Sequence, residues 1–468
     1  MIGNLYFVGT KEASSHLLAT SEGLILIDTG YTETAEIIAE GVALLGFDIS
    51  EVKVILHSHG HRDHTGGTPE ILKLAPKAKT YLSRRDLKYI SGFTPDYDLQ
   101  DGDIIRLGET EVRCVFTPGH TEGAFSFFFD LTEDGVCYRA AMFGGAGTNQ
   151  LKKSFLNKHC LSYLLRGEFF RSVERLMKER VDVTVGNHTW HNKTLEKLAK
   201  MEGAEKNPFI DPDEWGALLG SSYRALESII TEESRSAFVN YAHRGASEYC
   251  PENTLLSFYT GVYMGANGIE TDVRRTKDGR LVLFHDESLL RTSGVEGRIS
   301  EMTYGELADI RVKNGRLSDV IPLFEDFLKH FSSFGELTFA IELKEGGIGG
   351  EVAELLRRYG VEKRCYITSF SLDYLKEVIA CAPDVRTGFL ARNTDEELLA
   401  ELVRLGINEL CPRASEVTAE AVEAWHKMGF NVRAWGVSDE KLMKRVYDSL
   451  ADGMTVNFPD KLYGYITK

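Results

Sequence analysis

The sequence predicts two α/β domains in tandem, an αββα sandwich followed by a (β/α)8 barrel. Three observations predict this. The chain has 468 residues, too many for one hydrophobic core and suited to two of about 230. Up to about residue 236 the pattern is strand-heavy with helices interspersed, as a layered sandwich requires. After Ala237 it changes to eight short apolar runs separated by amphipathic helices, over a length close to the ~250 residues of a typical barrel.

The N-terminal elements follow in order. Short β-rich runs at Leu5 to Val8, His16 to Ala19 and Leu24 to Ile27 precede a helical stretch, Thr34 to Leu45. Val52 to His57 is a buried strand, and the glycine-rich run after it is the loop at its carboxyl end. Two β-rich blocks, Ile104 to Phe116 and Ala124 to Leu131, complete the sandwich. Residues 192–236 are polar and helical (Leu195 to Met201, Trp215 to Ile230) without Gly/Ser-rich character, so they form a packed extension of domain 1–236.

Domain 237–468 carries strand-like runs at Val239 to His243, Gly268 to Val273, Leu337 to Lys344, Cys365 to Phe370, Val385 to Leu390, Ile407 to Cys411, Val432 to Val437 and Met454 to Phe458. Helices such as Glu351 to Tyr359 and Glu396 to Leu405 separate them. Leu281 to Phe284 does not fit the alternation. It follows its predecessor through Lys277-Asp278-Gly279-Arg280, a tight turn that permits only a hairpin. The hairpin should fold back over the barrel mouth and return His285 to it.

Composition describes an ordinary globular protein, 43% hydrophobic and 26% charged. A formal charge of -16 without a long basic cluster argues against nucleic acid or an anionic membrane as partner. No apolar run approaches the ~20 residues of a membrane span, so no integral membrane segment is expected. The first residues run straight into a strand without a secretory pattern. Seven cysteines, odd in number and without CxxC spacing, suggest a cytoplasmic protein with small buried thiols. Oligomeric state is not legible.

The strongest local signal is Ser58 to Gly67, Ser-His-Gly-His-Arg-Asp-His-Thr-Gly-Gly. Four of thirteen histidines (His57, His59, His61, His64) fall within eight residues, which composition alone does not produce. A zinc-sized cation needs imidazole and carboxylate donors converging at ~2.0–2.2 Å. His59 and His61, two apart in an extended loop, point the same way. Asp63 and His64 come from the next turn and reach a neighbouring position. Two metals in one cleft are expected, with His57 structural.

This stretch resembles the H-x-H-x-D-H motif of the metallo-β-lactamase superfamily, over roughly residues 2–230. Ile25-Leu26-Ile27-Asp28-Thr29-Gly30 resembles the early strand whose aspartate orients the site. Thr117-Pro118-Gly119-His120-Thr121 resembles the loop supplying the third ligand of the first metal, and Val185-Gly186-Asn187-His188 the last ligand of the second. The resemblance implies one or two Zn²⁺, the first held by His59, His61 and His120, the second by Asp63, His64 and His188. Asp63 also counts among the catalytic residues. The bridging carboxylate of most relatives is missing: Phe143-Gly144-Gly145-Ala146 ends on a side chain that ligates nothing. Some branches lack it and hold two zincs through shared solvent.

A second constellation sits at the barrel's strand ends: His243-Arg244-Gly245, Glu270-x-Asp272, His285-Asp286 and Glu342-x-Lys344. Alternation places Glu270 with Asp272, and Glu342 with Lys344, on one face. Three carboxylates at one mouth repel unless a hard cation, Mg²⁺ or Ca²⁺, joins them. Two histidines beside it suit phosphodiester cleavage, one accepting and one donating a proton. Arg244 offers a fork for phosphoryl oxygens and Lys344 a point charge.

With Pro251-Glu252-Asn253-Thr254 and Ile321-Pro322-Leu323, these motifs closely resemble glycerophosphodiester phosphodiesterases, a TIM barrel of the phospholipase C-like phosphodiesterase type, over about 238–468. The resemblance implies metal ligation by Glu270, Asp272 and Glu342, acid/base work by His243 and His285, and a small-molecule glycerophosphodiester as substrate. The substrate's free glycerol hydroxyl is expected to attack phosphorus first, and water then opens the cyclic phosphate to glycerol 3-phosphate. Two departures, the short segment Asp286 to Ser318 and Val456-Asn457-Phe458-Pro459 at the last strand, are expected to touch neither metal nor histidines. Trp435 is either pocket wall or plain core.

The expectation is therefore a bifunctional metal-dependent hydrolase, a phosphodiesterase barrel with a zinc hydrolase whose substrate is a cyclic phosphate, ester or thioester. The alternative makes the N-terminal domain a non-catalytic metal-binding or recognition module.

Overall fold

The computed structural model describes residues 1–467. The chain forms two compact units, Met1–Lys152 with Leu165–Ser228, and Lys153–Leu164 with Ile229–Lys468.

In the first unit, the strands Leu5–Phe7, His16–Thr20, Gly23–Ile27, Val52–Leu56, Lys79–Leu82 and Tyr97–Asp98 form one sheet in that order. A second sheet orders Val183–Val185, Val136–Met142, Phe125–Glu133, Thr110–Phe116 and Ile104–Leu107. Leu5, Ile25 and Val54 of the first share one buried cluster with Phe127, Met142 and Val185 of the second, so the sheets pack face to face. The first sheet's other face buries Leu26 and Ile55 against Ile38, Val42 and Ile71 of the helices Ala35–Leu44 and Thr68–Leu74. On the second sheet's other face, Phe128 meets Trp215 of the helix Glu214–Ser236 edge-on at 5.9 Å. This is the αββα sandwich. The block Ile104 to Phe116, read as one β region, is a hairpin turning at Gly108, whose φ of +54° suits glycine.

In the second unit, eight parallel strands close on themselves. Val239–His243 pairs with Gly268–Arg275, and the order continues through Thr338–Leu343, Cys365–Ser369, Arg386–Ala391, Glu409–Pro412, Asn431–Val437 and Gly453–Val456, which returns to Val239–His243. Leu281–Leu283 pairs antiparallel with Gly268–Arg275, the expected hairpin. The segment Lys153–Leu164 joins this unit through Lys153 Nζ to Asp452 Oδ1 at 2.8 Å, Ser162 Oγ to Asn408 Oδ1 at 2.8 Å, and the Tyr163 ring under the Arg386 guanidinium at 4.7 Å.

Among the described residues no helix is long and apolar enough to cross a membrane. The expectation of buried thiols holds for Cys114, Cys250, Cys365 and Cys411 and fails for Cys137, Cys160 and Cys381, which are exposed.

Candidate active sites

The first centre is built on the loop after Val52–Leu56. His59 Nε2 lies 3.1 Å from His61 Nδ1, which lies 3.1 Å from His120 Nε2. Donors at ~2.0–2.1 Å from a tetrahedral zinc are themselves about 3.3 Å apart, so the trio matches one such ion. The outer ring nitrogens are already tied: His120 Nδ1 donates to the Gly147 carbonyl at 2.8 Å, and His59 Nδ1 meets Ser58 Oγ at 3.1 Å. Such contacts fix the tautomer and aim the inner lone pair. Gly145 is required here, because a Cβ on it would come within 2.5 Å of the His120 Cβ.

A second donor set adjoins it. His64 sits on the short helix Arg62–Thr65, and its Nδ1 donates to Asp28 Oδ2 at 2.8 Å. Its Nε2 is buried without a hydrogen-bond partner and lies 3.4 Å from Asp63 Oδ2. His188 Nε2 is 3.7 Å from the same Asp63 oxygen, and its Nδ1 donates to the Glu12 carbonyl at 2.6 Å. A buried, unpaired nitrogen beside a carboxylate and a third donor fits a second cation. Asp28 also receives Ser58 N and Ser58 Oγ, both at 2.7 Å, so one carboxylate sets both the loop and His64. His57 meets Thr68 Oγ1 at 3.2 Å.

Burial, with neighbouring imidazoles, pulls His120 down to about 3, while His59 falls well below its usual value. Burial likewise brings His61 to about 4. These rings are neutral at physiological pH and free to ligate. Burial opposes charge on His64 too, yet Asp28 and Asp63 raise it to about 10.

Two residues were not singled out from the sequence. Asp86 is buried and accepts from Gly60 N (2.7 Å), Thr121 Oγ1 (2.7 Å) and Gly123 N (2.8 Å), pinning the loop of His59 and His61 to that of His120. Burial raises it to about 6. Trp190, 61% exposed, stacks on the His188 ring at 4.4 Å and 7°.

The second centre lies at the barrel's mouth. Strand register puts His243 beside Glu270 and Asp272 beside Glu342. One oxygen from each of Glu270, Asp272 and Glu342 comes within 4.8 Å of the others, and all three carboxylates are buried. Asp272 Oδ1 has no hydrogen-bond partner. A buried anionic oxygen without a hydrogen bond, among two further carboxylates, fits an oxygen-seeking divalent cation. Burial and the Asp272 charge raise Glu342 to about 7 and Glu270 well above its usual range. Burial opposes charge on Asp272 as well, but Arg244 and Lys344 hold it low.

His243 and His285 line one cavity of about 490 Å³ with Glu270 and Glu342. The hairpin thus returns His285 to the mouth. His243 Nδ1 donates to Asn457 Oδ1 at 2.6 Å. This corrects the expectation that the departure at Asn457 touches neither histidine: closure sets the last strand beside the first. His285 Nδ1 donates to Asp286 Oδ1 at 2.5 Å, so the segment Asp286 to Ser318, also expected to touch neither histidine, does so at its first residue. Asp286 is in turn held by Arg291. Burial, then Arg244, lowers His243 to about 4, and burial also lowers His285.

Arg244 is committed to carboxylates, with Nη1 2.9 Å from Glu252 Oε1 and Nε 3.2 Å from Asp272 Oδ2. Lys344 Nζ donates to Glu342 Oε1 at 2.7 Å and lies 3.6 Å from Asp272 Oδ1. Trp435 is pocket wall: it lines the cavity, half-buried, with Nε1 donating to the Ala391 carbonyl at 3.0 Å.

Fold and donor sets together define a two-domain hydrolase with two chemically distinct centres. Residues 243–461 match the glycerophosphoryl diester phosphodiesterase family and residues 8–137 the metallo-β-lactamase superfamily. A glycerophosphodiester phosphodiesterase of Caldanaerobacter subterraneus subsp. tengcongensis is 32% identical over 238 residues, 48% of this chain and 97% of its own length. A hydroxyacylglutathione hydrolase of Gloeobacter violaceus is 34% identical over 110 residues, 24% of this chain and 42% of its own. The native FEZ-1 metallo-β-lactamase from Legionella gormanii aligns over 49% of this chain and 94% of its own, with 27% identity and a TM-score of 0.47. The chain belongs to the glycerophosphodiester phosphodiesterase family through its C-terminal half, which follows a metallo-β-lactamase superfamily domain. It is an enzyme of that activity.

Proposed function

We propose that the barrel, residues 237–468, cleaves glycerophosphodiesters to glycerol 3-phosphate and an alcohol, with His243 and His285 as proton acceptor and donor. The observation that carries this reading is the single cavity shared by both histidines, Glu270 and Glu342. Glu270, Asp272 and Glu342 would hold Mg²⁺ or Ca²⁺, which when bound offsets charge on the phosphoryl oxygens. The two imidazoles are prepared differently. An amide oxygen on His243 Nδ1 favours the neutral ring with a lone pair at Nε2, as removing the attacking hydroxyl's proton requires. A carboxylate on His285 Nδ1 partly offsets the burial that lowers this ring, and so aids the proton it must carry to the leaving alkoxide. Lys344 and the guanidinium donors that Arg244 has left would meet the phosphoryl oxygens.

The N-terminal domain, residues 1–236 with its helical end, acts in the same reading as a zinc hydrolase. His59, His61 and His120 would hold one ion, and Asp63, His64 and His188 another, with Asp63 also facing the reacting group. Its substrate class is a cyclic phosphate, ester or thioester. The free cysteines suit a cytoplasmic enzyme.

Turnover of a headgroup panel, starting with glycerophosphocholine, tests the barrel. Release of glycerol 3-phosphate should need Mg²⁺ or Ca²⁺, and metal-independent release would overturn the cation assignment. For the first unit, metal analysis of the full chain should return about two zincs per chain. A value near zero would leave a recognition module in its place.

A further inference from the structure

The cavity at the barrel mouth has two chemically different sides. His243, Glu270, His285 and Glu342 come from the strands Val239–His243, Gly268–Arg275 and Thr338–Leu343 and from the hairpin that follows the second of them. The rest of the lining comes from strands further around the barrel. Phe370 follows Cys365–Ser369, Leu390 ends Arg386–Ala391 with Arg392 just beyond it, and Trp435 and Ser438 close the wall. This second side has no acidic residue in the lining.

Of its two arginines, Arg392 and Arg433, only Arg392 is without a carboxylate partner. The guanidinium lies 4.8 Å above the Phe370 ring. Among the described residues Arg392 makes no ion pair, whereas the other two arginines of the lining are occupied: Arg244 with Glu252 and Asp272, Arg433 with Glu409. In a chain of net charge -16 an exposed arginine without an acidic neighbour is conspicuous. The Phe370 face, which a quaternary ammonium would seek, is already taken. Arg392 covers the Phe370 face, Trp435 meets Phe370 edge-on at 5.0 Å and 88°, and the indole N–H is spent on Ala391.

We infer that this side is the subsite for the alcohol portion of the diester, and that Arg392 selects alcohols carrying a negative charge. This rests on the phosphodiesterase reading and deepens it. The attacking glycerol hydroxyl must lie against the histidines and carboxylates, so the alcohol takes the remaining volume. There a phosphate or carboxylate gains a charge-assisted, two-donor contact with Arg392, while a choline or ethanolamine cation meets a like charge on its preferred face.

The test compares three substrates on the full chain with Mg²⁺: glycerophosphocholine, glycerophosphoglycerol, and 1,3-bis(glycerophospho)glycerol, whose leaving alcohol carries a phosphodiester anion. The anionic substrate should exceed the choline ester by about tenfold in kcat/KM, mostly through KM, with glycerophosphoglycerol between. Arg392→Gln should remove the preference by weakening the anionic substrate alone, Arg392→Glu should invert it, and added salt should erode it. Two outcomes overturn the subsite: a wild-type preference for choline, or an Arg392→Gln variant that slows all three equally. If none of the three is turned over, the phosphodiesterase reading fails instead, and calorimetric Kd values for the three still rank them for or against Arg392.

Discussion

In the first unit, His59, His61 and His120 come from one loop and a distant turn and meet as imidazoles that burial keeps neutral. In the barrel, three carboxylates from two strands are crowded together, and burial and mutual repulsion favour a proton on Glu270 and Glu342. The first arrangement is at rest without a cation: His61 at about 4 and His120 at about 3 carry no proton at neutral pH. The second is not, as Glu342 at about 7 and the raised Glu270 record. Imidazoles and crowded carboxylates would therefore meet a cation from different starting charges.

The comparison breaks most visibly at the histidines. His243→Ala or His285→Ala should lower kcat for glycerophosphodiester cleavage by about 10²–10⁴ while leaving the zinc content of the first unit unchanged. A variant with wild-type turnover would remove that residue from the acid/base pair.

A pH experiment sharpens the electrostatic half. Glu342 is raised above its ordinary value near 4.5. Between about 4.5 and 7 the folded state therefore keeps a proton that the unfolded chain has lost, and stability falls as pH rises through that window. Glu342→Gln should stabilise the chelator-treated barrel by up to ~3 kcal/mol above pH 7 and by little at pH 4.5. Equal gains at the two pH values, by urea unfolding, would show that charge crowding is not the cause. The lowered imidazoles of the first unit work the other way: their contribution is present above about 6.5 and lost as pH falls towards 4 and 3.

Asp28→Asn should weaken the second zinc by about 10- to 100-fold and the first much less, because Asp28 holds His64 directly. Zinc titration against a competing chelator measures both, and equal losses would mean that Asp28 serves only the loop. The smallest effect belongs to Asn457→Ala, about tenfold in kcat, with a shifted acid limb of the pH profile, since it frees the ring of His243. An unchanged pH profile would leave Asn457 a structural residue.

Legibility followed the range of the interactions. His59, His61, Asp63 and His64 are neighbours in sequence, and the eight barrel strands are apolar runs of ordinary period, so both stood out. Asp86 did not, because a lone acid in a short 3-10 helix gains its meaning only from Gly60, Thr121 and Gly123, 26 to 37 positions away. Asn457 was misjudged although a closed barrel sets the eighth strand beside the first, because which residue past that strand reaches His243 depends on register and loop path. The short strand Val183–Val185 carries no signal of its own and depends on its pairing with Val136–Met142.

Both centres include a residue other than glycine in the left-handed region, Asp28 at φ +58° and Arg244 at φ +55°. Each such residue costs about 1 kcal/mol or more, and glycine at either position would relieve that strain. Yet a glycine would leave His64 and Ser58 without their acceptor, and Asp272 with Lys344 alone as counter-ion. A glycine at either site would exchange backbone strain for buried groups without partners, so stabilising engineering of this enzyme should leave both residues in place.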